Sequence, residues 1–341
     1  NVNEDVYEIV KETLQEIKDH SEKDNLDWLV ENTEAFCRDR AIYGAILTSM
    51  DIIGKSKKTK LSEGAIPELM TQALSITFNP NVGHDYIEDA EDRFAYYHRK
   101  EEKLEFDLAF FNRITKNGIS KKTLNVILAG TGVGKSLALC HFSAGWLNQG
   151  KNVLYITLEL AEQEVAKRID ANLLNMSFDD LMDLPKDLYL KKIDSLKQKH
   201  VGKLVVVEYP TASASVNHFR ALLSDLKLKK KFIPDVIVVD YLNICISSRL
   251  NLGANINSYM YVKAIAEELR GLAVEYNLPI FTATQTNRTG FTSSDVGLED
   301  TSESFGLPAT ADFMFAMINS EELAKLGHIQ IKQLKNRYRD N

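Results

Sequence analysis

Cysteine is scarce in this chain. Cys37, Cys140 and Cys245 are three in number, far apart and without metal-ligand spacing, so neither a disulfide framework nor a primase-like zinc cluster is expected. Such usage fits a reducing cytosol. No apolar run approaches the ~20 residues that a membrane span needs, and the start at Asn1 shows no signal-peptide pattern. Positive charge is not in excess: 41 Lys and Arg against 48 Asp and Glu give a net charge of −7. That excludes a surface basic all over, and confines any nucleic-acid contact to one loop or channel. Internal repeats and low-complexity tails are also lacking. What is there, 44% hydrophobic and 26% charged residues over 341 positions, describes a globular chain of about two domains. A start without Met reads as a piece of something longer.

The first part is helical in pattern, with Val6, Ile9, Val10, Thr13, Leu14 and Ile17 at helical spacing and the pattern continuing over 26–53. A basic connector, 55–60, reads as a solvated loop. A short amphipathic helix follows over 65–75, apolar at Ile66, Leu69, Met70, Ala73 and Leu74 and closed by turn residues 79–83. Its apolar face has either a neighbouring subunit or its own domain to pack on. From about Leu104 short apolar runs alternate with helices. Strands are expected over 124–128, 153–158, 204–208, 236–240, 280–284, 313–318 and 329–334, and helices between them include 162–174, 216–228 and 260–276. That alternation predicts an α/β domain with a mostly parallel sheet covered on both faces, preceded by an all-α segment and linker helix.

The most informative stretch is Ala129-Gly130-Thr131-Gly132-Val133-Gly134-Lys135-Ser136, between the first strand and a helix over 137–148. A glycine-rich turn there presents successive N–H groups to a polyphosphate, and the helix N-terminus adds partial positive charge. Lys135 would reach the β/γ-phosphates and the Ser136 hydroxyl would ligate Mg²⁺; Leu137 closes the nucleotide-binding run 130–137. Ala129 stands where the phosphate-loop pattern expects Gly. Downstream, the strand 236–240 ends in Asp240, the expected metal acid. Glu159 ends the strand after the phosphate-loop helix, where a carboxylate either polarises an attacking water or faces solvent. Gln285 puts an amide at another strand terminus, suited to sensing a γ-phosphate. Lys335 and Arg337 end the last strand two residues apart, on the same side. They read either as a cationic pair for an adjacent subunit's phosphoryl group or as an exposed basic strand end.

Together these pieces resemble the DnaB-like hexameric replicative helicases with a RecA-type motor core, most closely the T-even-like phage members. The resemblance covers nearly the whole chain. The segment Trp28-Leu29-Val30-Glu31-Asn32-Thr33-Glu34 resembles the part before the family's linker, and 64–78 resembles the linker helix that docks on the next protomer. Asp240-Tyr241-Leu242-Asn243 resembles the metal-acid motif, and Gln285-Thr286-Asn287-Arg288 the end of the sensing strand. The implied organisation is a collar segment over 1–54, a linker over 55–83 and a motor over 84–341. The resemblance makes Glu159 the catalytic base, Arg168 a nucleotide contact, Gln285 the γ-phosphate sensor and Lys335 with Arg337 the trans-acting pair, Arg337 being the arginine finger.

It also implies ATP or GTP as energy source with Mg²⁺, a homo-hexamer, 5′-to-3′ travel on single-stranded DNA at a replication fork, primase and loader partners, and a host bacterial cytoplasm. DNA-contacting loops should lie at 247–258 and 289–305, with Arg249, Asn251, Asn257, Ser302, Glu303 and Phe305 as candidates. Bacterial relatives carry Arg-Glu-Ser-Gly where this chain has Ser302-Glu303-Ser304-Phe305. Two rivals share the phosphate loop: a filament-forming, strand-exchanging recombinase, and a non-catalytic platform that binds nucleotide only to hold subunits together.

Overall fold

A computed structural model describes residues 26–54, 61, 63–78, 83–99, 101–250, 258–286, 297 and 306–338. The expectations for 6–17, 55–60 and 79–82 lie outside the described residues. The chain divides into two compact units between Arg99 and Lys100.

In the first unit a 28-residue helix, Leu26–Ile53, is followed by the short helix Ile66–Leu74. Pro in its first turn fits that helix start, where the missing N–H has no intrahelical role. The short helix packs on the long one and buries Ala73, while the Glu34 carboxylate accepts a hydrogen bond from the Phe78 N–H at 3.0 Å. Of the two packing partners open to it in sequence, its own unit is therefore in contact.

The second unit is a seven-stranded sheet in the order β3-β2-β4-β5-β1-β6-β7. The strands are β1 Leu124–Ala129, β2 Val153–Thr157, β3 Leu204–Glu208, β4 Val236–Asp240, β5 Ile280–Gln285, β6 Phe313–Ile318 and β7 Gln330–Asn336. Every pairing is parallel except β6 with β7. The connection 319–329 is too short for the crossover a parallel neighbour demands, so β7 turns back as an antiparallel edge.

Alternation along β1 sorts its side chains between two cores. Leu124, Val126 and Leu128 join one buried cluster, built with Phe219 and Leu223 of helix Val216–Lys230 and Ile265 and Leu269 of helix Ser258–Glu275. Ile127 and Ala129 join the other, with Leu139, Phe142 and Trp146 of helix Lys135–Asn148 and Val165 of helix Glu162–Leu173. Phe281 lies at the centre of that second core, its ring 5.4 Å from Phe142, 5.5 Å from Trp146 and 6.1 Å from Phe106. Edge-on contacts of this kind favour one packing arrangement over others.

Phe281→Ala would open a void among these rings. Chemical denaturation should report a loss of ~3–5 kcal/mol, and a loss under ~1 kcal/mol would mean that this core is not close-packed.

Candidate active site

Strand polarity brings the site residues together. The C-terminal ends of β1, β2, β4 and β5 share one edge of the sheet, carrying the phosphate loop, Glu159, Asp240 and Gln285 respectively. Parallel sheets bind ligands at this edge.

The phosphate loop depends on two glycines in the left-handed region, Gly132 at φ 77° and Gly134 at φ 109°. Open space surrounds Gly132, so backbone conformation rather than crowding requires glycine there. Gly134 caps helix Lys135–Asn148, and its carbonyl accepts from the Ala138 N–H at 2.9 Å. Lys135 is buried at 7% exposure. Its ammonium donates to the Gly130 carbonyl at 3.3 Å and lies 5.5 Å from the centre of the Tyr241 ring. Burial lowers its pKa from the ordinary lysine range, against the opposing pull of Glu159 and Asp240. A polyphosphate would add negative charge to that of Glu159 and Asp240 around this buried lysine.

Asp240 is fully buried at the end of β4. The Ser136 hydroxyl donates to its Oδ1 at 3.2 Å and the Tyr155 hydroxyl to its Oδ2 at 2.9 Å. Burial raises the carboxyl above its ordinary range, although both hydroxyls and the Arg168 charge favour ionisation. Tyr155 is itself fully buried, and its oxygen receives the Cys140 thiol at 3.7 Å. A hydroxyl and a buried carboxylate side by side suit a hard divalent cation that keeps its other positions for phosphate and water. Among the described residues no cluster of three or more His, Cys, Asp or Glu could hold a metal.

Glu159 projects from a pinned turn. The Thr157 hydroxyl donates to the Leu160 carbonyl and accepts from its N–H, at 2.8 and 3.0 Å, and Leu158 N–H bonds the Asp240 carbonyl at 2.8 Å. The carboxylate itself is exposed and lines a cleft of about 330 Å³ with Gly132, Lys135, Ser136, Arg168 and Gln285. Gln285 sits beside Ala129 in the β5–β1 register and donates to the Tyr241 hydroxyl at 3.0 Å. An apolar hollow of about 480 Å³ adjoins this cleft and shares Gly134, Leu137 and Arg168 with it.

Lys335 and Arg337 are elsewhere. Because β7 is antiparallel, they stand at the opposite edge of the sheet, beside Asp312 just before β6. Asp312 bonds the backbone of Leu124, the first residue of β1, and at ~3.3 Å per residue the far end of that strand is roughly 16 Å away. Arg337 cannot reach the phosphate loop of its own chain. Both side chains bond the Ala309 carbonyl, so they do share one side. Arg249, at 53% side-chain exposure, pairs with Glu267 at 2.8 Å and Glu268 at 3.4 Å. Asn251, Asn257, Ser302, Glu303 and Phe305 lie outside the described residues.

Tyr155, Tyr241, Arg270 and Asp312 carry no role that the sequence alone suggests. Tyr155 lies in an apolar strand with nothing to mark its hydroxyl. Arg270 is one charge on an otherwise periodic helix.

This fold and cleft define a phosphate-loop NTPase of the RecA type. A family model described as the DnaB-like helicase C terminal domain matches residues 105–337, and the chain belongs to the DnaB-like replicative helicases. It is 46% identical over 344 residues to a DnaB-like replicative helicase of Enterobacteria phage T4, an alignment covering 98% of this chain and 72% of that protein. It is 27% identical over 205 residues to the replicative DNA helicase DnaB of Helicobacter pylori, covering 58% of this chain and 40% of that one. Two solved structures share the fold at 16% identity. One is an isolated ATPase domain, with a TM-score of 0.60 over 74% of this chain and 92% of its own. The other, a DnaB-like replicative helicase studied for its interactions with primase, gives 0.61 over 93% and 75%.

Tyr155→Phe removes one of two hydroxyls holding a buried carboxylate while keeping the ring. Thermal or denaturant unfolding should show a loss of about 1–3 kcal/mol; unchanged stability would mean that Asp240 does not depend on this bond.

Proposed function

We propose that this chain carries the motor of a ring-forming replicative helicase, which hydrolyses ATP or GTP between subunits and moves along single-stranded DNA in the 5′-to-3′ direction. The observation carrying this reading is the separation of Lys335 and Arg337 from their own phosphate loop by the length of β1. A cationic pair useful to phosphoryl transfer is out of reach unless a second copy presents its loop to it. Closed rotational symmetry would present one copy's loop to the next copy's strand end at every interface.

Within one cleft the loop 130–137 cradles the phosphates, Lys135 balances their charge and Arg168 contacts the nucleotide from its helix. The adjoining apolar hollow has room for the uncharged end of the same molecule. Ser136 and Asp240 would hold Mg²⁺, which when bound neutralises charge on the β- and γ-phosphate oxygens. Glu159 takes a proton from the attacking water. Gln285 contacts the γ-phosphate and reports its loss to the segment after β5, where one of the two DNA-facing loops begins. The other loop begins near Arg249, after β4. Loops rooted at the nucleotide edge can change height as phosphate is lost and draw the strand along.

Residues 1–54 would contribute to a collar, 55–83 to a linker docking on the next subunit, and 84–341 to the motor. Primase and a loader are the expected partners. No helix among the described residues is long and apolar enough to cross a membrane, and we place the protein in the host bacterial cytoplasm.

Glu159→Gln should lower turnover by about 10²- to 10⁴-fold while leaving nucleotide affinity nearly unchanged, as followed by phosphate release and by titration with a fluorescent nucleotide. Unchanged turnover would move the base elsewhere. Loss of binding would make Glu159 part of the cradle instead.

A further inference from the structure

Asp312 is bonded more richly than the start of a strand requires. It is 4% exposed, and its Oδ2 accepts from the Leu124 N–H at 3.0 Å. Arg270 grips both oxygens, Nε to Oδ2 and Nη2 to Oδ1, each at 3.1 Å. Arg337 reaches the same carboxylate by a single contact, Nη1 to Oδ1 at 3.1 Å. Its backbone N–H also bonds the Asp312 carbonyl at 2.9 Å. The Arg337 Nη2 donates to the Ala309 carbonyl at 3.2 Å, and Lys335 donates to Pro308 and Ala309 at 2.6 and 3.0 Å.

Among the described residues three cations thus surround one carboxylate, leaving two positive charges unmatched within the cluster. Folding alone gives no reason for that surplus, because like charges held together are costly. Burial and the Arg337 charge together push the Lys335 ammonium below its ordinary range. The contacts are also unequal. The two-pronged pair, the stronger geometry, goes to Arg270, whereas Arg337 stays 48% exposed at the side chain. Among the described residues Arg337 uses two of its five side-chain N–H donors within the chain. A guanidinium so held is oriented but still able to bind an anion.

We propose that Asp312 is the positioning residue of the trans-acting pair, with Arg270 as the counter-ion that stops the carboxylate from closing on Arg337. Asp312 fixes the base of the guanidinium, and the open N–H groups face the γ-phosphate held by the adjacent copy. The shared Ala309 carbonyl aligns Lys335 beside it. This inference rests on the reading of Arg337 as an arginine finger.

The test uses the full chain and DNA-independent nucleotide hydrolysis. Asp312→Asn should lower kcat at least about tenfold, since small displacements of a catalytic group are expensive, with KM within about twofold because its own cleft is remote. Mixing it with Lys135→Ala, which lacks a working cradle but keeps a correctly held Arg337, should restore activity above the sum of the two alone. Random assembly pairs an intact cradle with an intact finger at about one interface in four. Arg337→Ala mixed with Lys135→Ala is the companion experiment and should recover in the same way. No recovery in that companion would overturn the finger reading and this inference with it. Recovery there, combined with wild-type turnover by Asp312→Asn or with no rescue of it, would overturn the positioning role alone. Should Asp312→Asn fail to fold, Arg270→Lys, which breaks the two-pronged grip, takes its place with the same outcomes.

Discussion

The direction in which each strand runs governs this molecule. β1, β2, β4 and β5 run the same way, so the glycine-rich loop, Glu159, Asp240 and Gln285 are delivered to one edge without the strands that carry them being close in sequence. β7 runs the other way and delivers Lys335 and Arg337 to the far edge. The loop and the cationic pair of one chain therefore stand too far apart to meet, and on the function proposed above assembly becomes a condition of chemistry.

Buried carboxylates are handled consistently within the second unit. Each of the three among the described residues is held by several hydrogen bonds, as a low-dielectric interior demands. Asp240 has two hydroxyls, and Asp312 has a backbone N–H and two guanidiniums. Glu268 follows the same rule: burial alone would raise it, but bonds from Ser247, Ser248 and Arg249 hold it below the ordinary carboxylate range. Glu268 and Arg270 belong to one helix, Ser258–Glu275. That helix therefore bonds both to the segment after β4 and to the carboxylate beside Arg337.

Much of the fold was readable because the strands of a covered sheet are continuous apolar runs. The run 236–240, for example, has no polar residue until Asp240, and the structure ends β4 there. The phosphate loop was readable because its chemistry is local, eight consecutive residues whose spacing is itself the function. Helices Ala90–His98 and Lys186–Gln198 leave little trace in the sequence; neither buries a residue, so hydrophobic periodicity has little to mark. The reversal of β7 depends on connection length, which strand composition does not reveal. Tyr155 and Asp240 meet across 85 residues, and Asp312 and Leu124 across 188. Partnerships so distant exist only once the sheet has formed, which is why the sequence alone assigns Asp312 and Arg270 no role.

The most direct measurement is an electron-microscopy structure of the assembled protein bound to a non-hydrolysable nucleoside triphosphate, Mg²⁺ and single-stranded DNA. The account requires the Arg337 guanidinium within hydrogen-bonding distance of the γ-phosphate in the neighbouring subunit's loop, with Asp312 still beneath it. Arg337 turned to solvent, or more than about 10 Å from every phosphate and hence beyond a Debye length, would contradict it.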